Sequence, residues 1–195
     1  WVVLDVETSG LDVHRDRLLA IAAVGLRVDW ARQRLDVRLG DSFEVVLRQD
    51  VVSSRENILL HGIGVQSQRD GVDPVKALEA FEAYAGQAPL LAFHSAFDEA
   101  LIGRHAQLHL HRRPPNPWVD IEHLCAVSHP QVRARSLDEW MAHFGITCPN
   151  RHQAAADTLA ECDLLLRIWP RVAAECRQWR DVQRLARQRR WLPQA

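Results

Sequence analysis

The stretch Val2-Val-Leu-Asp-Val-Glu-Thr-Ser-Gly-Leu11 is an apolar run that carries two acids and leads into a glycine-containing turn. Its β-branched content over residues 2–6 predicts a strand. Residues two apart in a strand point to the same face, so Asp5 and Glu7 project together. Two such carboxylates repel each other and are costly to bury, and a divalent cation with oxygen ligands removes that cost. The alternative is a strand end that dips into solvent, where both acids are harmless.

The rest of the chain predicts how this strand is paired. Apolar runs over residues 18–28 and 42–47 predict two more strands, and short polar connections holding Gly10 and Gly40 predict an antiparallel meander. Strands that are separated by helices must run parallel. The later predicted elements are a helix over Pro74–Tyr84, a strand over Leu90–Phe93, a helix over Asp98–Leu110, a strand over Trp118–Ile121, a helix from a capping box at Ser136 through Phe144, and a long helix over Ala154–Trp169 that Pro170 kinks or ends. The predicted fold class is α/β, with a mixed five-stranded sheet and flanking helices.

A further acid, Asp98, stands where the strand over Leu90–Phe93 passes into a helix. An aspartate near a helix N-terminus often only caps the helix. Because the helix follows a buried strand, Asp98 is also a candidate to join the acids of the first strand at the edge of the sheet.

The last acidic motif is Arg151-His-Gln-Ala-Ala-Ala-Asp157. Asp157 shares a helix face with Glu161, Leu164 and Ile168, so its carboxylate continues a mostly apolar face and needs a partner. His152 lies five residues earlier, in the loop that enters the helix. A helix N-terminus disfavours a charged imidazolium, which keeps a nearby histidine neutral and able to act as a base. The alternative is an ordinary surface histidine.

The amino-acid composition limits the class of protein to which this chain can belong. The chain has 195 residues, 47% hydrophobic and 25% charged, as expected of a soluble globular protein. No apolar run is long enough for a membrane span, and no signal-peptide pattern opens the chain. The first residue is tryptophan, so we expect either a missing N-terminal lead or a domain of a longer protein. Four widely spaced cysteines favour free thiols in a reducing cytoplasm.

Taken together, the motifs resemble those of the DEDD superfamily of 3′→5′ exonucleases, in its histidine branch, which includes the proofreading epsilon subunit of bacterial DNA polymerase III and ribonuclease T. The resemblance covers roughly residues 2–168. The elements that carry it are Val2–Leu11, Asp16–Val24, His61-Gly-Ile63, Phe93–Asp98, Trp118–Ile121, Ser136–Asp138, Phe144–Ile146 and His152–Asp157. It implies a ribonuclease-H-like fold, which agrees with the mixed sheet.

The resemblance also implies roles for single residues. Asp5, Glu7, Asp98 and Asp157 correspond to the acids that hold two Mg²⁺ or Mn²⁺ ions, and His152 corresponds to the general base. Thr8 and Leu11 match positions that hold the terminal nucleotide, and His61 and His94 fall in motifs near the nucleic acid. Two positions depart from the pattern: His94 stands where asparagine is usual, and Ala20 where glutamate is usual. Both departures bear on substrate and rate more than on reaction type.

The implied function is hydrolysis of single-stranded or frayed nucleic acid to nucleoside 5′-monophosphates, with DNA favoured over RNA. The alternative is a catalytically silent nucleic-acid-binding or polymerase-associated module. The expected ligand is the 3′ end of a single strand. The expected protein partner is a DNA polymerase or further domains of a longer chain. No association with a membrane is expected. We divide the chain into an exonuclease domain, 1–170, and an Arg-rich helical extension, 171–195, packed on or next to it. The extension either binds nucleic acid or a partner, or is a solvated amphipathic helix.

Overall fold

The first strand lies at the centre of a five-stranded mixed sheet. The computed structural model describes residues 1–192. The strands are β1 (Val2–Thr8), β2 (Leu18–Asp29), β3 (Arg34–Val46), β4 (Leu90–Ala92) and β5 (Trp118–Asp120), in the spatial order β3-β2-β1-β4-β5. β1 pairs antiparallel with β2 and β2 with β3, whereas β4 pairs parallel with β1 and β5. The predicted α/β fold class and the five-stranded mixed sheet are confirmed.

Helices cover both faces of the sheet. They are α1 (Arg55–His61), α2 (Val65–Arg69), α3 (Pro74–Ala85), α4 (Ala96–Leu110), α5 (Ile121–Ser128), α6 (Leu137–Phe144), α7 (Ala154–Glu175) and α8 (Trp179–Arg187), followed by a 3₁₀ turn over Gln188–Trp191. The capping box at Ser136 and Glu139 is present and opens α6. In the described part of the chain, every helix is too short or too polar to cross a membrane.

The two faces of β1 serve different purposes because its side chains alternate. Val2, Leu4 and Val6 pack into a buried cluster with side chains of α3 and α4. Val3 points to the opposite face, into a second buried cluster with α5, α6 and α7. Asp5 and Glu7 continue the face of Val3, so the first strand directs both acids toward α7.

Several boundaries differ from the predicted ones. β3 begins at Arg34 rather than residue 42, so Gly40 lies inside this strand, next to a register shift opposite Val24 and Gly25. The early part of β3 is largely exposed, which explains the weak hydrophobic signal there. The helices α1, α2 and α5 were not predicted; all three are short, at five to eight residues, and short helices give little periodicity.

Pro170 does not end α7, which continues to Glu175. Proline removes one backbone donor from the helix. The buried neighbours Ile168, Val172 and Ala173 keep packing against the core and outweigh that loss. α8 follows and buries Val182, Leu185 and Ala186 in the same cluster as α5 and α7. Our division of the chain at residue 170 stays a prediction.

Candidate active site

Three acids from two elements meet at the end of β1. Asp5 and Glu7 come from β1, and Asp157 comes from the first turn of α7. Each offers a carboxylate oxygen, and these oxygens lie within 4.8 Å of one another. The same-face spacing predicted for Asp5 and Glu7 is what directs them to one point. The register places Glu7 opposite Ala20 and Asp5 opposite Ala22, so only small side chains of β2 stand beside the acids.

Asp98 enters the same cleft from the other side. It lies in the first turn of α4 and is only 3% exposed. It does not join the group of three acids whose oxygens fall within 4.8 Å, although it lines the cleft with them. The cleft has a volume of about 620 Å³.

A fifth acid, Glu161, was not predicted as a site residue from the sequence. Glu161 lies one helical turn after Asp157 on α7, is 1% exposed and lines the cleft. Within residues 1–192, its Oε2 atom is buried without a hydrogen-bond partner. The spacing of four residues from Asp157 was the signal that could have found it, because residues i and i+4 share a helix face.

Burial and mutual repulsion raise the pKa values of four carboxyl groups in this cleft. Burial and the charge of Asp157 raise the pKa of Asp5 from 3.8 to about 8. Burial, followed by the charges of Asp5 and Asp157, raises the pKa of Glu7 from 4.5 to about 9. The pKa values of Asp98 and Glu161 also lie well above their ordinary values, in both cases through burial first and the charge of Asp5 second.

Arg151 is the cation that the protein itself places in this cluster. Its guanidinium forms an ion pair with Asp157, and its Nε lies 2.6 Å from Asp138 Oδ1. The sequence motif contains Arg151 but predicts no role for it. One arginine cannot neutralise five carboxylates, which is why protons or further cations are needed.

His152 stands at the rim of the cleft, as its place in the entry loop predicts. Its side chain is exposed and lines the cleft, and its backbone adopts a left-handed conformation with φ 62°. The backbone N–H of His152 donates to Asp157 Oδ2 at 3.0 Å. This bond fixes the loop to the acid and leaves the imidazole free to face a ligand.

Thr8 and Leu11 line the cleft next to the acids. Thr8 is buried and its hydroxyl donates to the carbonyl of Gly10 at 2.6 Å, which fixes the turn after β1. Leu11 is 87% exposed, so its apolar surface is open to a ligand in the cleft. Leu60 of α1, which is also exposed, lines the same cleft and was not foreseen.

The structure does not place His61 where it can contact nucleic acid. His61 is 2% exposed and is absent from the cleft lining. Its Nε2 bonds Asn57 Oδ1 at 2.8 Å, and its Nδ1 accepts from the backbone N–H of Ile63 at 2.9 Å. Asn57 in turn donates to the carbonyl of Thr8 at 2.9 Å. His61 therefore supports Thr8 through Asn57, and its predicted role as a contact residue is corrected to one of support.

His94 does line the cleft. Its side chain is exposed, its φ is 58°, and its backbone N–H donates to Asp120 Oδ1 at 3.1 Å. Asparagine and histidine both adopt this left-handed conformation more often than most other residues, so histidine is compatible with the backbone at a position where the family pattern has asparagine.

The residues present fit divalent cations. The donors are all carboxylate oxygens, which hard cations such as Mg²⁺ and Mn²⁺ prefer. The unpartnered Glu161 Oε2 and the raised pKa values of Asp5 and Glu7 show that negative charge at this point is under-compensated. Asp5, Glu7 and Asp157 would hold a cation directly, and Asp98 would hold one from the opposite wall.

A mixed sheet whose central strand presents such a cluster to an open cleft defines a metal-dependent nuclease with a ribonuclease-H-like fold. The exonuclease family model named RNase_T matches residues 2–165, and the chain belongs to that family. The resemblance inferred from the motifs is thereby confirmed.

Curated relatives include DNA polymerase III proteins of bacteria. The chain is 27% identical over 182 residues to the DNA polymerase III PolC-type of Bacillus subtilis, a match that covers 93% of this chain and 12% of that protein. It is 29% identical over 177 residues to a DNA polymerase III subunit epsilon-like protein of Rhodobacter capsulatus, covering 89% and 24% of the two chains. The chain thus spans a quarter or less of the length of these relatives.

Solved structures share the fold. The E. coli exonuclease I in complex with a dT13 oligonucleotide superimposes with a TM-score of 0.71 at 19% identity, over 94% of this chain and 45% of that chain. Exonuclease X in complex with 5′ overhanging duplex DNA gives a TM-score of 0.70 at 16% identity, over 95% and 98%.

Proposed function

We propose that this chain hydrolyses nucleic acid from its 3′ end and releases nucleoside 5′-monophosphates, with two bound Mg²⁺ or Mn²⁺ ions and His152 as general base. The observation that carries the proposal is the meeting of Asp5, Glu7 and Asp157 within 4.8 Å, beside a loop histidine that faces the same cleft. Membership of the exonuclease family supports the same reaction.

The chemistry is a displacement at phosphorus. A water oxygen attacks the terminal phosphodiester, and the bond from phosphorus to the 3′-oxygen of the preceding nucleotide breaks. The shortened strand leaves after this 3′-oxygen takes a proton from solvent and becomes a hydroxyl. Divalent cations held by Asp5, Glu7, Asp98 and Asp157 would acidify the water and would stabilise negative charge at the leaving oxygen. His152 takes the proton of the water, and its exposed position at the rim lets it pass that proton to solvent.

Leu11 and Thr8 would hold the terminal nucleotide. The exposed side chain of Leu11 offers an apolar surface for a base, and the turn fixed by Thr8 sets where that surface stands. A terminal base can reach this surface only if it is unpaired, so single-stranded or frayed ends are the expected substrates. DNA is favoured because the curated relatives are DNA polymerase III proteins.

We further propose that the chain works with a DNA polymerase in the cytoplasm, as a module of a longer protein or as a separate subunit. The support is its similarity to a segment of PolC-type polymerases and to an epsilon-like protein. Proofreading or repair of DNA ends fits this setting.

The test is a gel time course with 5′-labelled single-stranded DNA and RNA in Mg²⁺, Mn²⁺ or EDTA. A metal-dependent ladder that shortens from the 3′ end, absent in Asp5→Ala and present in the matched control Asp50→Ala, would support the enzyme. Asp50 is an exposed acid outside the cleft. A wild-type protein that gives no ladder in any metal would overturn the proposal and favour a silent binding module.

A further inference from the structure

A second groove, the α8 groove, lies next to the candidate active site. It has a volume of about 700 Å³, and we define it by Trp118, Asp120, Arg135, Arg187, Arg189 and Arg190. β5 and α5 form one wall, and α8 with the following 3₁₀ turn forms the other. No sequence motif indicates this groove, because its two walls are far apart in the chain.

Two short segments of the chain separate the α8 groove from the active-site cleft. Ser95 and Ala96 line the groove, whereas their neighbours His94 and Phe97 line the cleft. Arg135 lines the groove, and the adjacent residues 136 and 137 line the cleft. The groove therefore lies directly beside the cleft, on the β5 side.

Positive charge dominates the free side chains of this groove. Arg135, Arg187 and Arg190 are exposed, and within residues 1–192 none of their guanidinium groups pairs with a carboxylate. Arg189 is different, because its Nε lies 3.1 Å from both carboxylate oxygens of Glu122 and ties the 3₁₀ turn to α5.

Three carboxylates also line the groove, and two of them are already compensated. Glu122 is paired with Arg189. Asp120 accepts hydrogen bonds from the backbone N–H groups of His94 and Glu122, and burial raises its pKa. Glu99 is the remaining acid, against three free arginines.

An exposed aromatic side chain lies between two residues of the groove lining. Trp191 is 76% exposed, and it lies in the sequence between two residues that line the groove, Arg190 and Leu192. The Arg190 guanidinium carbon lies 4.8 Å from the centre of the Trp191 ring. Exposed aromatic rings beside arginines are the surfaces on which proteins stack bases of single strands.

We propose that the α8 groove holds the single strand upstream of the terminal nucleotide, with phosphates on Arg135, Arg187 and Arg190 and one base stacked on Trp191. This inference rests on the proposed function, since it names where the rest of that substrate lies. On this inference, α8 and the following 3₁₀ turn bind the strand upstream of the active site.

The first test measures binding without catalysis. A fluorescein-labelled single strand of about 12 nucleotides is titrated with protein in EDTA, and the anisotropy gives Kd at several salt concentrations. We expect Arg187→Ala with Arg190→Ala to weaken binding about tenfold and to lower the slope of log K against log salt by about 1.4, or about 0.7 for each phosphate left without its arginine. Lysine at both positions should restore most of the affinity.

Trp191→Ala tests the stacking contact separately. We expect binding to weaken by roughly fivefold to a hundredfold, with little change in the salt slope, because stacking involves no counterion release. Arg180→Ala is the matched control: Arg180 is an exposed arginine on the same helix that does not line the groove. Circular dichroism melting establishes that each variant is folded.

The second test compares two substrates, an oligonucleotide and the p-nitrophenyl ester of thymidine 5′-monophosphate, which fills only the cleft. The ratio of kcat/KM for the oligonucleotide to kcat/KM for the ester should fall about tenfold in the double arginine variant. Folded variants that bind the strand as tightly as wild type, with an unchanged salt slope, would overturn the inference. Failure of the wild type to cleave either substrate would instead contradict the proposed function. The EDTA titration would still show whether the α8 groove binds the single strand.

Discussion

The guanidinium of Arg151 forms an ion pair with the carboxylate of Asp157 inside the candidate metal site. The same side chain reaches Asp138, an exposed acid of α6. Arg151 therefore stands where a divalent cation would have to approach Asp157, and it has a second partner to which it can turn. The protein itself thus supplies a partial substitute for the metal.

Removal of Arg151 should separate its effect on folding stability from its effect on metal binding. We expect Arg151→Ala to lower the free energy of unfolding in EDTA by roughly 1–3 kcal/mol, because Asp157 is left without its counterion. The same change should tighten Mn²⁺ binding about tenfold, because the cation no longer displaces a positive charge. Isothermal titration calorimetry and thermal melting measure the two quantities. Arg151→Lys keeps the charge and serves as control; weaker Mn²⁺ binding by Arg151→Ala would mean that the arginine orients Asp157 for the metal.

Asp5 is expected to be the acid on which metal binding depends most. Its oxygen lies within 4.8 Å of those of Glu7 and Asp157, at the centre of the sheet. Asp5→Ala should lower turnover roughly a thousandfold or more and reduce the number of Mn²⁺ ions bound per chain. Asp50→Ala should leave both unchanged. Robust turnover by Asp5→Ala would contradict the assignment of Asp5 as a metal ligand.

His152 should matter for the chemical step more than for binding. We expect His152→Ala to lower kcat by a factor of about 10² to 10⁴ while oligonucleotide affinity is largely kept. His111, an exposed histidine outside the cleft, provides the matched alanine control. Near-wild-type kcat in the His152 variant would remove it from the mechanism.

Glu161 should behave as a neutral neighbour of the metal acids and not as a ligand. Burial and the charges of Asp5 and Asp98 raise its pKa well above the ordinary value, which favours the neutral form of the side chain. Glu161→Gln keeps its shape and neutrality, so we expect a change in unfolding free energy within about 1 kcal/mol in EDTA and a loss of Mn²⁺ affinity below about tenfold. Asp157→Asn should abolish Mn²⁺ binding. Equal losses in the two variants would make Glu161 a ligand.

The metal-free protein should lose stability as pH rises. Asp5 and Glu7 have folded-state pKa values of about 8 and about 9, above their ordinary values of 3.8 and 4.5. Between these limits the folded state holds protons that the unfolded state releases, so the free energy of unfolding decreases with rising pH. We expect each of the two groups to contribute a slope of about 1.4 kcal/mol per pH unit between about pH 5 and pH 8 in EDTA.

The matching control for this pH dependence is Asp5→Asn, which should flatten the slope. Saturating Mg²⁺ should flatten it too, because the cation then replaces the protons on the carboxylates. Urea unfolding at a series of pH values gives the result, and a stability that rises from pH 5 to pH 8 in EDTA would contradict the assigned pKa directions.

The sheet and the acids that line the cleft could be predicted because their signals are local. The two-residue spacing of Asp5 and Glu7 fixes their common face, and the alternation of strands and helices after Pro74 fixes the parallel pairing. Asp98 and Asp157 each stand at a recognisable helix start. None of these inferences needs knowledge of distant contacts.

Other features depend on contacts that local patterns do not contain. His61 lies in a motif typical of the family, but only the structure shows that both of its ring nitrogens are used inside the protein. The ion pair of Arg151 with Asp157 depends on a loop conformation. The α8 groove unites residues more than fifty positions apart, such as Arg135 and Arg190.

The placement of β1 in the middle of the sheet divides the active site into a fixed part and an adjustable part. Asp5 and Glu7 stand on a strand that pairs with β2 along its length and with β4 at Val2 and Val3, so the sheet holds their positions. Arg151 and His152 stand on a loop ahead of α7 and can move without disturbing the sheet. We therefore expect that release of product and binding of cations require movement of this loop only. Asp5 and Glu7 would keep their geometry from one turnover to the next.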